Sequence, residues 1–480
     1  MIRNLLTIAL TLTLAFSGTS QTTKLKTSFG EKFAYDPKIE QDPNLVLADN
    51  YGHYLLSVIN TDGLTAKRQM VLRKFDQTNK LVKTFTYDFP KFDISTLYNY
   101  LGFVVTQDDR VAVFTDTYSG KAKKSAITMH VFDKKSGEFT STELMVNDIL
   151  SAMKSGSASM KKTDNNRLIA LNYNLYRAKN EPEKNRVLVL DGTSLKPSWE
   201  KEFSFADEFV TQSFDVTNNS KVVFLRSAKG FKTGFSIAYG DASALVEKPI
   251  AEAIKIQEPK AVSIGASDYL LAFNSPTKGI RGGDFSNLML YDLASATILN
   301  NPKIDELNQT KDIEKALWRH VIVHSDAIEV YVEAKSEVRQ AKVNNVGSMQ
   351  NAWEPKPYNF SGAFLYVLNL DGTVKSVKKL TTDVTRRAEL FHLYGLTVKD
   401  GYTTVVAGKE KGFYQIDPDR NYDIKMASIQ TYFWYDRYTD PYLDYVNQLS
   451  HYFKDGNKML LTRMTQDNEM QFMFLTEEKN

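Results

Sequence analysis

One pattern recurs along the 480 residues: an apolar strand ends in Asp, a turn rich in Gly, Ser, Thr or Asn follows, and a more polar strand returns. The clear copies are VLRKFDQTNKLVKTFTYDF with Asp76, MHVFDKKSGEFTSTELMV with Asp133 and VLVLDGTSLKPSWEKEF with Asp191. Looser copies are SIAYGDASALVEKPI with Asp241, LMLYDLASATIL with Asp292 and FLYVLNLDGTVKSVKKL, where Asn369 takes the Asp position. Successive copies lie 57, 58, 50, 51 and 77 residues apart. Each reads as a β-hairpin, because Asp, Asn, Gly and Ser accept turn geometry while the flanking β-branched and aromatic residues suit a pleated surface.

A second kind of strand pair precedes each hairpin: LGFVVTQDDRVAVFTDTYS from Leu101, SMKKTDNNRLIALNYNLY from Ser159, SFDVTNNSKVVFLRSA from Ser213 and AVSIGASDYLLAFNS from Ala261. Here a polar turn joins an alternating strand to a nearly continuous apolar one. Continuous runs such as Val222-Val223-Phe224-Leu225 are expected to be buried on both faces, and the outer hairpins, which alternate, to show one face to water. Pair plus pair makes a four-stranded antiparallel unit of about 50 to 58 residues that cannot bury both its faces alone.

Two further units fit the tail, one from His392 and one from Val446. The last has only three evident strands, which leaves a place for a strand from Thr27 to Tyr35 to complete it. This repetition resembles that of β-propeller proteins over the whole chain after residue 20. The resemblance implies an all-β fold of seven or eight four-stranded antiparallel blades, with eight favoured. No narrower family is matched: the Trp-Asp dipeptide of WD40 repeats and the Ser-x-Asp-x-Gly-x-x-Trp box of sialidases are missing, and no di-glycine recurs from blade to blade as in kelch repeats.

Two segments have apolar residues at helical spacing and are expected to be short inserted helices, Val146 to Met153 and Asp305 to Trp318. Polar residues 334–361, with Pro355 and Pro357, read as an insertion loop in the single domain 21–480. Residues 1–20 combine Arg3, an apolar run from Leu5 to Phe16 and a small-residue end, Gly18-Thr19-Ser20, which is the layout of a secretory signal peptide. The run is too short for a membrane span of about 20 apolar residues. The expectation is therefore an exported protein, periplasmic or extracellular, with no membrane span, and monomeric. The absence of Cys removes disulfides and thiol chemistry, so a large core must hold the chain together. With 60 Lys+Arg against 57 Asp+Glu, whole-chain charge gives no reason to expect a nucleic acid partner.

Candidate chemistry is sparse. HExxH, GxSxG, Walker and GxGxxG motifs are absent. His320 and His324 flank Val321-Ile322-Val323, which favours a strand; on a strand they would lie about 13 Å apart, too far to share a metal. Asp417, Asp419, Asn421 and Asp423 set oxygen side chains at alternate positions, as calcium loops do, but Tyr422 stands where such a loop wants Gly and Ser428 where it wants Glu. That candidate calcium site, with an ordinary polar turn as its alternative, is the one cofactor implied. The short basic clusters Lys121, Lys123, Lys124 and Lys154, Lys161, Lys162 read as solvated turns.

The most unusual stretch is Tyr432 to Tyr445. Its Trp434, Tyr435, Asp436, Arg437 and Tyr438 suit stacking on sugar rings or anchoring a protein, although such rings equally serve to pack blade against blade. The sequence thus points to a noncatalytic binding or scaffold propeller engaging an envelope protein or glycan. The alternative is a carbohydrate-active enzyme, hydrolase or lyase, with carboxylates and Tyr in the central channel.

Overall fold

A computed structural model describes residues between 25 and 477; residues 1–24, 338–357, 387–395, 429–450 and several shorter loop segments lie outside the described residues. Among the described residues the strands form eight antiparallel meanders of four strands each, and one of these carries a short fifth strand, Val384–Arg386. In chain order the blades span 40–88, 97–148, 157–205, 209–249, 254–300, 315–386 and 396–428, and are called here blades 1 to 7. Blade 8 takes three strands from 451–477 and its outermost strand, Leu25–Ala34, from the start of the chain. That strand pairs along Glu469–Glu477, from Leu25 opposite Glu477 to Ala34 opposite Glu469, as the missing fourth strand in the tail predicted. The fold is a β-propeller.

The first strands of successive blades, from blade 2 through blade 8, are neighbours, so they line the axis of the ring and the fourth strands lie at its rim. Burial follows this order. In blade 2 the second strand, Val111–Ser119, is buried throughout, while most of the fourth, Glu138–Asp148, is exposed. The reason lies in the pleat: alternate residues face opposite neighbours. Val111 and Val113 pack with Leu56 and Leu72 of blade 1, whereas Ala112 and Phe114 pack with Leu171 and Leu188 of blade 3. A strand with a blade on both sides has no solvent face, hence its continuous apolar run.

The ring closes through such seams. Leu55 and Phe75 of blade 1 share a buried cluster with Phe33, Leu460, Phe472 and Phe474 of blade 8. His53 belongs to this core, stacked on Phe75 at 5.2 Å and edge-on to Phe472 at 4.5 Å. Bulges recur in the innermost strands, at Tyr100/Gly102, Thr211/Ser213, Gln257/Lys260 and Trp318/His320 among others, and interrupt the pairing register there.

Three sequence expectations need correction or trimming. Val146 to Asp148 end the fourth strand of blade 2 rather than opening a helix; burial alternates there, with Met145 and Asn147 buried and Val146 exposed, which is the period of a strand. Asp305 is helical, 306–314 lie outside the described residues, and Lys315 to Trp318 begin the first strand of blade 6, Lys315–Val323, so the helix expected to reach Trp318 stops short of Lys315. Residues 334–337 and 358–361 of the polar insertion continue the hairpin of Ile328–Glu337 with Tyr358–Leu368, Glu337 opposite Tyr358, which leaves 338–357 between them.

Candidate functional site

The repeated Asp residues belong to the turns between third and fourth strands. Asp76 Oδ1 accepts from the amides of Thr78 (2.8 Å) and Lys80 (3.0 Å) and from Thr78 Oγ1 (2.7 Å). Asp191 Oδ1 accepts from the amides of Thr193 and Ser194 and from Ser194 Oγ; Asp133, Asp241 and Asp292 hold their turns in the same way. In blade 6 Asp371, not Asn369, is this acceptor, for the amide and hydroxyl of Thr373. Hydrogen bonds from Thr78 and from the Ser194 amide hold the Asp76 and Asp191 carboxyls below the ordinary range. These acids fasten turns and are spoken for.

The polar turns expected between first and second strands share a Thr at their start that the sequence pattern did not single out: Thr106 before Asp108, Thr163 before Asp164-Asn165 and Thr217 before Asn218-Asn219. Each Thr is buried, its amide donates across the turn, and its hydroxyl caps the returning amide, as Thr163 Oγ1 does for Leu168 N at 3.1 Å. These turns mark one end of the innermost strands. A cavity of about 630 Å³ opens there between blades 3, 4, 5 and 6.

Its wall comes from four innermost strands: Ser157–Lys162, Phe209–Val216, Ile254–Ile264 and Lys315–Val323. Lys161, Lys162, Asp164, Asp215 and Lys260 are its charged residues. Asp215 accepts from its own neighbour's amide, Val216 N (2.9 Å), and from Ala261 N of blade 5 (2.8 Å), a group on the strand's free inner edge. Burial pushes its carboxyl above the ordinary range, against the opposing pull of the Ala261 amide and of Lys161. Lys162 donates to Phe103 O (3.1 Å) with its ammonium 5.0 Å from the Phe103 ring centre, and burial lowers its pKa. Lys260 Nζ reaches Asp164 Oδ1 at 2.7 Å, from blade 5 to blade 3 across blade 4. No aromatic residue lines the cavity among the described residues.

No protein-family model and no curated protein matches the chain. Among solved structures it is similar to the β-propeller domain of the trilobed protease of Pyrococcus furiosus, at 12% identity over 80% of this chain and 93% of that one, TM-score 0.37. It is also similar to an acylaminoacyl peptidase of Pyrococcus horikoshii, at 11% identity over 92% of this chain and 60% of that one, TM-score 0.39. A third is an α-L-arabinofuranosidase of Fusarium graminearum, at 10% identity over 66% and 93%, TM-score 0.33. Likeness of that degree says nothing of what this chain does.

The residues singled out in the sequence fare differently. Trp434, Tyr435, Asp436, Arg437 and Tyr438 lie outside the described residues. So do Asp417, Asp419, Asn421 and Asp423, in the segment joining the paired strands Gly412–Ile416 and Ile424–Ser428. His320 lies within a strand and His324 just past its end, where it approaches Glu329 at 3.1 Å. No group of three or more His, Asp or Glu able to hold a metal occurs among the described residues. Lys161 and Lys162 are not turn residues: they end an innermost strand and line the cavity, while Lys154 of the same cluster lies over the Tyr176 ring. Asp215 and Lys260 escaped notice because neither stands in a motif; folding brings together positions 45 residues apart.

His130 is the other buried ionisable group of note. It bridges Thr115 Oγ1 (2.9 Å) and Ser141 Oγ (2.7 Å) in the seam between blades 1 and 2, beside Tyr87 and Phe89. Burial pulls its pKa down to about 4, so it is neutral at physiological pH. No carboxylate partners the ring in this hydroxyl chain, which makes it a satisfied core histidine.

Proposed function

We propose that the chain is an exported, noncatalytic binding propeller that engages a glycan or an envelope protein through the turn end of its ring. One observation carries the reading: of the two carboxylates among the described lining residues, Asp215 is committed to two backbone amides, which leaves Asp164 without a second carboxylate free to act with it. Glycoside hydrolysis needs a free acid and a free base facing the same bond. A cavity of this volume suits a small ligand or the terminal unit of a larger one. The signal-like residues 1–20 support export.

The test is a glycan array with the chain starting at residue 21, run beside a hydrolase and lyase assay on the same glycans, with Trp434→Ala and Lys161→Gln as variants. Binding without product release, reduced in one of the variants, is the expected result. Turnover of any bound glycan would instead establish a carbohydrate-active enzyme, and a blank array with no envelope protein retained would remove the binding reading.

A further inference from the structure

We propose that the axial cavity takes an oxyanion, of the carboxylate or phosphate type, between Lys161 and Lys260, and that the Asp164–Lys260 ion pair is a latch the ligand displaces. The proposal rests on the binding reading above but names a chemistry that reading leaves open.

The donors of the cavity decide the chemistry. Ser263 Oγ already donates to Asp268, and Thr163 Oγ1 to Asn165. Lys162 is held at Phe103 O. Lys161 makes no hydrogen bond or ion pair with the described residues, and Lys260 has one partner, Asp164. The side-chain amides of Asn165 and Asn218 also face this wall, but its charged unspent donors among the described residues are ammonium groups. With no aromatic ring among the described lining residues, this wall offers a neutral sugar no stacking platform. An oxyanion finds the charge it needs from Lys161, which is already close enough to Asp215 to favour that carboxylate's ionised form.

The latch follows from placement. Among the described residues, Asp164–Lys260 is the one ion pair between blades that are not adjacent, and both its residues line the cavity. Asp164 is 62% exposed and Lys260 26%. A pair this open to water contributes little, so exchanging Asp164 for a ligand oxygen is nearly free. Asp164 thus competes with the ligand, and its removal should have the opposite sign to removal of either lysine.

The experiment is titration calorimetry of the chain from residue 21, at low salt, with inorganic phosphate, galacturonate and tetragalacturonate as probes. Saturable binding is expected, with Lys161→Gln and Lys260→Gln each weakening it about tenfold and Asp164→Asn tightening it about threefold. Lys154→Gln, which removes a cation away from the cavity, should leave affinity unchanged, and equal thermal midpoints establish that the variants are folded. Preference for tetragalacturonate assigns the anion to a glycan chain, whereas equal affinity for phosphate and galacturonate assigns it to a free small anion; both support the site. No saturable binding by any probe, weakening by Asp164→Asn, or an equal drop for Lys154→Gln overturns it. Neutral glycans retained on the array with no anion bound would overturn this inference and leave the binding reading standing. Shortened products from tetragalacturonate would do the reverse.

Discussion

The acids of the outer turns and the acids of the ring interior do opposite things with the same carboxyl group. Asp76, Asp133, Asp191, Asp241 and Asp371 sit in solvent, where hydrogen bonds from the turn draw their pKa values down. In the interior, burial pushes Asp116 and Asp215 up. Burial pushes on Glu183 too, yet the Thr211 amide, Arg226 and Asn174 together outweigh it and hold the carboxyl low. The contrast teaches where to look for function in a repeat protein whose repeats are full of Asp. An acid that recurs at the period of the fold is a turn fastener, and an acid without a counterpart in other blades is the one whose surroundings demand an explanation.

The sharpest way to break this contrast is to remove the group that makes an interior acid tolerable. Arg226 is fully buried between blades 3 and 4, ion-paired to Glu183 at 3.1 Å and to Glu247, bonded to Ala206 O and Phe209 O, and packed 4.3 Å from the Phe205 ring centre. Arg226→Ala strands Glu183, itself 1% exposed, without its charge partner. A loss of about 3–5 kcal/mol in denaturant unfolding is expected. A loss under about 1 kcal/mol would mean that water replaces the guanidinium, and that the interior is wetter than its burial implies.

His130 asks the same question of a positive charge. Its folded pKa of about 4 lies below the ordinary histidine value of 6.5, so the unfolded chain binds the proton more readily. Its contribution is present in full above pH 6.5 and is lost as pH falls towards 4. Comparison of unfolding at pH 7 and pH 5 should show about 2 kcal/mol of destabilisation that is absent in His130→Gln. An identical pH dependence in the two proteins would show that the seam between blades 1 and 2 hydrates the ring.

The architecture was legible because it is periodic. Turn residues after Asp76, Asp133 and Asp191 and the unbroken run Val222 to Leu225 report local needs, a fastened turn and a strand with a blade on either side. Even the N-terminal strand could be inferred from a last unit one strand short. The cavity was not legible, since Lys161, Asp215 and Lys260 come from three blades and share no spacing. Apolar i, i+3 positions misled at Val146 to Met153, because an outer strand also buries scattered residues, as Met145 and Asn147 show. Lys161 and Lys162 resembled a solvated turn because the sequence places them beside Thr163-Asp164-Asn165, and only the closure of the ring shows that this turn surrounds an axis.

Asp215 is the interior acid whose removal should help rather than hurt. Its folded pKa is raised, so ionisation opposes folding and the penalty grows as pH rises through the folded value. Asp215→Asn abolishes the charge and keeps one oxygen, for the Ala261 amide, at the loss of the local bond from its own neighbour Val216 N, which the other carboxylate oxygen accepts. Stability at pH 7 should be equal to or slightly above that of the wild type, and anion affinity at the cavity should rise in step with Asp164→Asn. Marked destabilisation would show that the two amide bonds need a full carboxylate.

The smallest effect belongs to the turns. Asp191 accepts three hydrogen bonds, but all lie in water that competes for them, and its charge is screened. Asp191→Ala should cost about 0.5–1 kcal/mol by denaturant unfolding, and Asp191→Asn less, since an amide oxygen still accepts from Thr193 and Ser194. The sign of the pH dependence is opposite to that of Asp215: the stabilisation is present above the unfolded carboxyl range and fades as pH falls through the lowered folded value. Anion binding at the cavity should be unchanged in Asp191→Ala. If it changed as much as in Lys161→Gln, the turn acids and the axial acids would form one electrostatic system, and the division between fastener and site would fail.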